Sequence, residues 1–302
     1  MSTGYKYIAI VGASGSIGKI ILNGLIEYSL FSITAITRKE SEATFPPGVT
    51  VRKTDFSESD LEAAFKGKDA VISTVGATGF AEQKKLVDAA LRAGVKRFIP
   101  SEFSASNQNE NVVRLLPLFG QKTEVLKYLK TKESEGLSWT GIVPSLLFDW
   151  GLENGFLGFD ISNRKATIWN GGNKKFTLSN EKQLAQAVVS TLQRPEATKD
   201  QYLFIASVET SHKELLAALE EATAAKWDVT KTTTDEQVND GMQKLGAGDF
   251  SGAFNLVRAI SFGNIPGLNA NYIRDERLGN DVLGLELESV KDTVNRVVKS
   301  SG

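Results

Sequence analysis

The chain has 302 residues, 41% of them hydrophobic, a length that suits one large domain or a nucleotide domain with a smaller partner lobe, with a sizeable core in either case. Lys and Arg number 35 against 36 Asp and Glu, so a formal net charge of -1 offers no overall field for nucleic acid or an anionic membrane. Zero Cys and one His remove disulfides, cysteine nucleophiles and nearly every soft-metal site, and no run of about 18 apolar residues is present, so a soluble, metal-free, cytoplasmic protein is expected.

From residue 6 to about residue 143 apolar runs alternate with amphipathic stretches, as parallel strands covered by helices should. The first strand, Tyr7–Val11, runs straight into Gly12-Ala13-Ser14-Gly15-Ser16-Ile17-Gly18, and a helix is predicted over Ile17–Tyr28. Three glycines at this spacing between a strand and a helix exceed what a turn requires. Gly12 suits the tight turn, Gly15 lets backbone N–H groups approach a pyrophosphate, Gly18 lets helix and strand pack closely, and the helix N-terminus favours an anion. Ser14 and Ser16 add hydroxyl donors, and Ile17 enters the cradle as the first helical residue.

The second strand, Ile33–Thr37, leads into Arg38 and Lys39, where a protein preferring NAD would usually carry an acid for the ribose hydroxyls. Two cations there favour the 2′-phosphate of NADPH, Arg38 through its planar fork and Lys39 as a point charge, while nearby Glu40 keeps a plain solvated loop open. After the third strand, Val49–Thr54, Asp55 and Phe56 are candidates to border the adenine, with capping of the helix predicted over Ser59–Phe65 as the alternative for Asp55. A fourth strand at Ala70–Thr74, a helix at Glu82–Ala93, a fifth strand at Arg97–Pro100, a helix at Gln121–Glu133 and a sixth strand at Trp139–Val143 follow. The order is that of a doubly wound, Rossmann-type α/β sheet over residues 1–145.

Two places on the last of these helices carry candidates for acid–base work. Tyr128 and Lys132 have a Tyr-x-x-x-Lys spacing but fall near the helix's C-terminal end, which marks them as a surface pair. Lys122 sits at the helix start, near the carboxyl ends of the strands, with Leu118 where a tyrosine would stand. The helix dipole, apolar surroundings and a neighbouring cofactor would draw its pKa down from about 10.4 toward a value useful for proton transfer; a solvated first-turn lysine is the alternative.

After Pro144 the pattern loosens, and residues 146–302 read as a smaller α/β substrate lobe, interleaved with the first domain as one structural unit. Phe148, Trp150, Phe156 and Phe159 crowd a Gly-rich stretch, either as core or as a substrate-lining surface. The turn Asn170-Gly171-Gly172-Asn173 between Thr167–Trp169 and Lys175–Thr177 predicts a hairpin. Helices are expected at Glu181–Leu192, Ser211–Ala222 and Leu285–Val298, with a strand at Tyr202–Ala206 and His212 in a solvated or capping role.

Four stretches together resemble the NmrA-like and isoflavone-reductase-like family of atypical short-chain dehydrogenases: the Gly12–Gly18 loop, Thr37-Arg38-Lys39, the lysine-bearing helix at Lys122, and Ala93-Gly94-Val95-Lys96-Arg97-Phe98-Ile99-Pro100-Ser101-Glu102-Phe103. The stretches Phe148-Asp149-Trp150-Gly151-Leu152 and Gly158-Phe159-Asp160 bring it nearest to fungal members. The resemblance implies NADPH as cofactor, Lys122 as general acid or base, Arg38 and Lys39 on the 2′-phosphate, and Thr74, Val75 and Gly76 along the cofactor. Phe103 joins Phe148, Trp150 and Phe156 as a substrate-side candidate, and Ser104 stands where the plant pattern has glycine.

The function so implied is reduction of a small aromatic or polyketide-type ketone, enone or benzylic ether. A dinucleotide-sensing regulator without turnover and a non-redox isomerase or cyclase are the alternatives. Whether the chain pairs as a homodimer is left open by the sequence.

Overall fold

The computed structural model describes residues 4–268 and 270–301. In the first half, short aliphatic and β-branched runs form β1 (Tyr7–Val11), β2 (Ser32–Arg38), β3 (Thr50–Thr54), β4 (Ala70–Ser73), β5 (Arg97–Ile99) and β6 (Ser138–Val143). Between them lie α1 (Ser16–Glu27), α2 (Glu58–Phe65), α3 (Gln83–Arg92), α4 (Glu110–Leu115) and α5 (Phe119–Lys132). The second half brings β7 (Leu146–Leu147), α6 (Phe148–Glu153), β8 (Phe159–Asp160), β9 (Lys165–Trp169), β10 (Phe176–Ser179), α7 (Glu181–Gln193), β11 (Gln201–Phe204), β12 (Val208–Thr210) and α8 (His212–Thr223). It ends with β13 (Asp228–Thr232), α9 (Thr234–Gly246), α10 (Gly252–Phe262), α11 (Tyr272–Asp275), α12 (Asn280–Leu283) and α13 (Val290–Ser301).

Seven strands pair in parallel in the order β3-β2-β1-β4-β5-β6-β11. The chain leaves β1 toward β3 and returns to β4 on the other side of β1, so the carboxyl ends of β1 and β4 frame the crevice where doubly wound sheets bind ligands. Strand alternation divides the core between the two faces. Ile8 and Ile10 pack with Ile21 and Leu25 of α1 and Leu184 and Val188 of α7, while Ala9 and Val11 face Phe65, Val87 and Leu129 on α2, α3 and α5. The α1–α7 crossing is close because Gly24 has no side chain: a Cβ there would stand 2.5 Å from Ala185 Cβ. Both α7 and β11 come from beyond residue 145, yet they complete this sheet and its helical layer.

The remaining strands form two small sheets, β12-β10-β7 and β13-β9-β8. The hairpin expected around Asn170–Asn173 is therefore absent: β9 pairs with β8 and β13, and β10 with β7 and β12. Asn170, Gly171 and Gly172 all have positive φ (48°, 76° and 75°), and this left-handed run hands the chain from one sheet to the other. The Asn170 side chain fixes the crossover by donating to Thr234 Oγ1 (2.8 Å) and accepting from the Thr234 amide (3.1 Å). The last helix starts at Val290 rather than Leu285, because the preceding backbone is committed elsewhere, the Leu285 amide donating to the Asn280 carbonyl at 2.9 Å and the Glu288 amide to the Ser207 carbonyl at 2.7 Å. No helix among the described residues is long and apolar enough to cross a membrane.

Candidate active site

The glycine loop turns at the end of β1, and its three glycines have different reasons to be there. Gly12 has φ +85°, and a Cβ would stand 2.8 Å from the Thr74 carbonyl oxygen just after β4. A Cβ on Gly18 would come within 2.2 Å of the Gly12 carbonyl oxygen, so the loop closes on the helix only with glycine there. Gly15 is under no such pressure, its nearest neighbour being Gly12 O at 3.4 Å, and it is exposed. The free space in front of it is the cradle that a pyrophosphate needs. No acid stands in the first turn of α1 and no side chain caps it, so its N–H groups are available to an anion.

This loop floors a groove of about 590 Å³ at the sheet crevice, with Thr37, Arg38 and Ser41 on one wall and Thr74, Val75 and Gly76 on the other. Arg38 is exposed and forms no salt bridge among the described residues. Lys39 is committed: its Nζ lies 2.9 Å from Asp55 Oδ2. Asp55 also accepts from the Ser57 amide (2.9 Å), and these contacts hold its carboxyl well below the usual carboxylate range. The N-cap of α2 is Ser57, whose hydroxyl accepts from the Asp60 amide, so Asp55 is neither that cap nor part of the groove; of the two adenine-side candidates, Phe56 lines it. Ile17 turns its side chain toward the core, and Ser16 opens onto a neighbouring groove.

One segment joins the groove to the lysine. Thr78 and Gly79 line the groove, and the next residue, Phe80, lays its ring over Lys122 Nζ at 4.6 Å. Lys122 is 3% exposed on the first turn of α5, with the Phe119 ring 4.9 Å from Nζ on its other side. The ammonium donates to the Glu102 carbonyl (3.0 Å) and to Ser104 Oγ (2.7 Å), which leaves one of its three protons without a partner among the described residues. Burial pushes its pKa down to about 8, against the opposing pull of the Glu102 carboxylate. The loop holding those acceptors is tied to the groove wall, since Ser101 Oγ donates to the Val75 carbonyl at 2.8 Å.

The aromatic candidates are dispersed. Phe103 is buried in the nucleotide-side core, and Phe148, with 0% exposure, lies in the core of the second lobe, so neither offers a face to a ligand in this conformation. Half-buried Trp150 lines a separate groove over α1 and α7 and meets Phe156 at 5.5 Å between ring centroids. Phe156 in turn packs on Phe254 (5.9 Å) and under the Arg258 guanidinium (5.6 Å). Tyr128 and Lys132 are at the far end of α5, the tyrosine donating to Asp88 Oδ1 at 2.5 Å and the lysine to Glu135 Oε1 at 2.9 Å.

His212 departs from its expected solvated or capping role. Ser211 caps α8, and His212 is 2% exposed among Phe159, Phe176 and Phe262, with Nδ1 accepting from the Trp169 amide at 3.3 Å. Burial pushes its pKa down to about 4. Sequence reasoning missed Phe80 and gave no role to Glu102 or Ser104. The departure from glycine at Ser104 was the available signal, because a hydroxyl there reaches the lysine.

Residues 4–257 match the sequence model of the NmrA-like family. The oxidoreductase aprR of Aspergillus flavus is 36% identical over 295 residues, covering 97% of this chain and 98% of its own length. The oxidoreductase poxI of Penicillium oxalicum is 31% identical over 290 residues, covering 95% of this chain and 92% of its own. Among solved structures, AtPrR2 with NADP+ and (+)-pinoresinol aligns with a TM-score of 0.78 at 20% identity over 98% of this chain and 100% of that one, a likeness of fold. With the family match and the full-length relatives in agreement, the chain belongs to the NmrA-like family.

Proposed function

We propose that this protein is an NADPH-dependent oxidoreductase that reduces a small aromatic or polyketide-type ketone, enone or benzylic ether, with Lys122 as the general acid. The observation that carries this reading is the shared wall: the segment that lines the glycine groove at Thr78 and Gly79 covers a buried lysine at Phe80. A groove suited to a dinucleotide is thereby separated by one aromatic ring from a buried cation with a proton to give. The names of the related oxidoreductases and the NADP+ bound in a structural neighbour support the same choice.

NADPH would lie with its pyrophosphate at Gly12–Gly15, its 2′-phosphate at Arg38 and its length along Thr74–Gly76. Bound there, it supplies the hydride. The chain's own contribution is to orient the ligands, to keep water off the reacting oxygen with Phe80 and Phe119, and to hold a proton on Lys122 Nζ for the oxygen that gains charge. Glu102 O and Ser104 Oγ aim that nitrogen and leave its third N–H for the substrate.

The experiment is a screen for NADPH oxidation against aromatic ketones, enones and benzylic ethers. Turnover above the rate of a Lys122→Met control supports the proposal. Tight NADPH binding without oxidation across all three classes would overturn it in favour of a dinucleotide sensor.

A further inference from the structure

Behind Lys122 lies a buried network that the proton step above does not use. Glu102 is 1% exposed; its Oε2 accepts from Asn107 Nδ2 at 2.5 Å and from Tyr202 Oη at 3.2 Å, and its Oε1 has no partner among the described residues. Tyr202 Oη accepts from the Asn107 amide and meets Ser106 Oγ, each at 3.3 Å, and Tyr272 Oη accepts from the Ser106 amide at 2.9 Å. The meeting of Glu102 and Tyr202 is made possible by a missing side chain on the strand between them. A Cβ on Gly141 of β6 would stand 2.9 Å from the Tyr202 ring and 3.4 Å from Glu102 Cγ.

A carboxylate in so dry a place is costly unless an opposite charge acts on it. The groups around Lys122 are the rings of Phe80, from the segment after β4, and Phe119, from its own helix, with the Ser104 hydroxyl and Glu102 carbonyl from the loop after β5. None of these bears a charge. Those around the Glu102 carboxyl are Asn107 from its own loop, Tyr202 from β11 and, through Ser106, Tyr272 from α11. The carboxylate forms no direct ion pair with the ammonium among the described residues and acts on it through the intervening low-dielectric space.

We propose, on the reading that Lys122 is the acid, that Glu102 is a positioning residue that keeps this lysine protonated in an apolar site, its carboxylate set in place by Asn107 and by Tyr202 across the gap at Gly141. Burial weakens the lysine's hold on its proton; the carboxylate opposes that loss. Burial also raises the Glu102 carboxyl, while Lys122, Tyr202 and Asn107 hold it down. In the proton step Lys122 gives H+ to the substrate oxygen, becomes a neutral amine, and recovers a proton from water. Glu102 transfers nothing.

The test reads Lys122 directly, without turnover, by NMR titration of the lysine Cε and Nζ resonances in isotopically labelled full-length protein, with the Lys122 signal assigned by its loss in Lys122→Met. In the unmodified protein it should titrate near 8, and in Glu102→Gln at least one pH unit lower, a tenfold loss of ammonium at a given pH above the midpoint, with the other lysines unmoved. Tyr202→Phe, which removes one donor to the carboxylate, should give a smaller downward shift and serves if Glu102→Gln fails to fold. An unchanged or raised Lys122 midpoint in whichever variant folds would overturn the role of Glu102. Failure of the parent reading is seen separately, as normal turnover in Lys122→Met.

Discussion

The glycine groove and the lysine niche share the Thr78–Phe80 segment, yet they are built in opposite ways. The groove is a backbone device: it needs absent side chains at Gly12, Gly15 and Gly18, stands open to solvent, and holds one uncommitted cation, Arg38. The niche is a side-chain device, closed by two aromatic rings, with its cation buried and its acceptors drawn from a distant loop. An open backbone cradle suits a ligand that is bound and released, and a dry enclosure suits a proton whose affinity must be tuned. The division predicts that damage to one region should spare the other.

The largest separation is expected from Lys122→Met, which keeps the length of the side chain and loses the proton. Its kcat should fall by about 10²–10⁴-fold while the NADPH dissociation constant changes little, as steady-state kinetics beside calorimetry would report. The converse is Gly15→Val, predicted to weaken NADPH binding by about a hundredfold with the fold intact, because only ligand space is filled. Gly18→Ala sharpens the contrast: its Cβ would stand 2.2 Å from the Gly12 carbonyl, so the melting temperature should drop, and a loop tolerant of both changes would not be a phosphate cradle.

Arg38→Ala should erode the preference for NADPH over NADH by about 1–3 kcal/mol, the worth of a charge-assisted hydrogen bond. Lys39→Ala should cost less, since Lys39 is already paired with Asp55. Equal dissociation constants for the two cofactors in the unmodified protein would remove this argument.

His212 offers the counter-case to Lys122, a buried titratable group whose shift is unopposed by a neighbouring carboxylate. Its pKa is depressed on folding, from 6.5 to about 4, so the unfolded chain binds the proton more tightly and stability is lost as pH falls through that interval. Between pH 7 and pH 5 this one group should cost roughly 2 kcal/mol. Urea midpoints at the two pH values, compared between the parent and His212→Leu, would measure it. An equal acid loss in both proteins would assign the effect elsewhere.

The same division explains what could be read from the sequence. All six strands of the first half were legible to within a residue or two: five are largely buried runs rich in apolar and β-branched residues, and the exposed edge strand β3 showed itself by its place between β2 and the next helix. The glycine cradle was legible because its members are contiguous. The place of Lys122 near the start of a helix beyond β5 was legible too. Its surroundings were not: Tyr202 lies 100 residues from Glu102, and no local pattern shows that Gly141 makes room for their contact. In the second lobe, α9 was hidden by a mostly polar face, carrying only Val238, Met242 and Leu245 as large apolar residues, although its capping box of Thr233 and Glu236 was present. The false hairpin arose because a Gly-rich turn fixes where a chain bends but not which strands it then joins.

The central claim, that the Lys122 ammonium is the acid of an NADPH-dependent reduction, is tested most directly by the pH dependence of kcat at saturating NADPH. With the lysine's pKa near 8, the rate should be level below that value and fall about tenfold per pH unit above it, and this limb should vanish in the residual activity of Lys122→Met. A rate that rises as pH passes through 8, or an alkaline limb that persists in Lys122→Met, would contradict it.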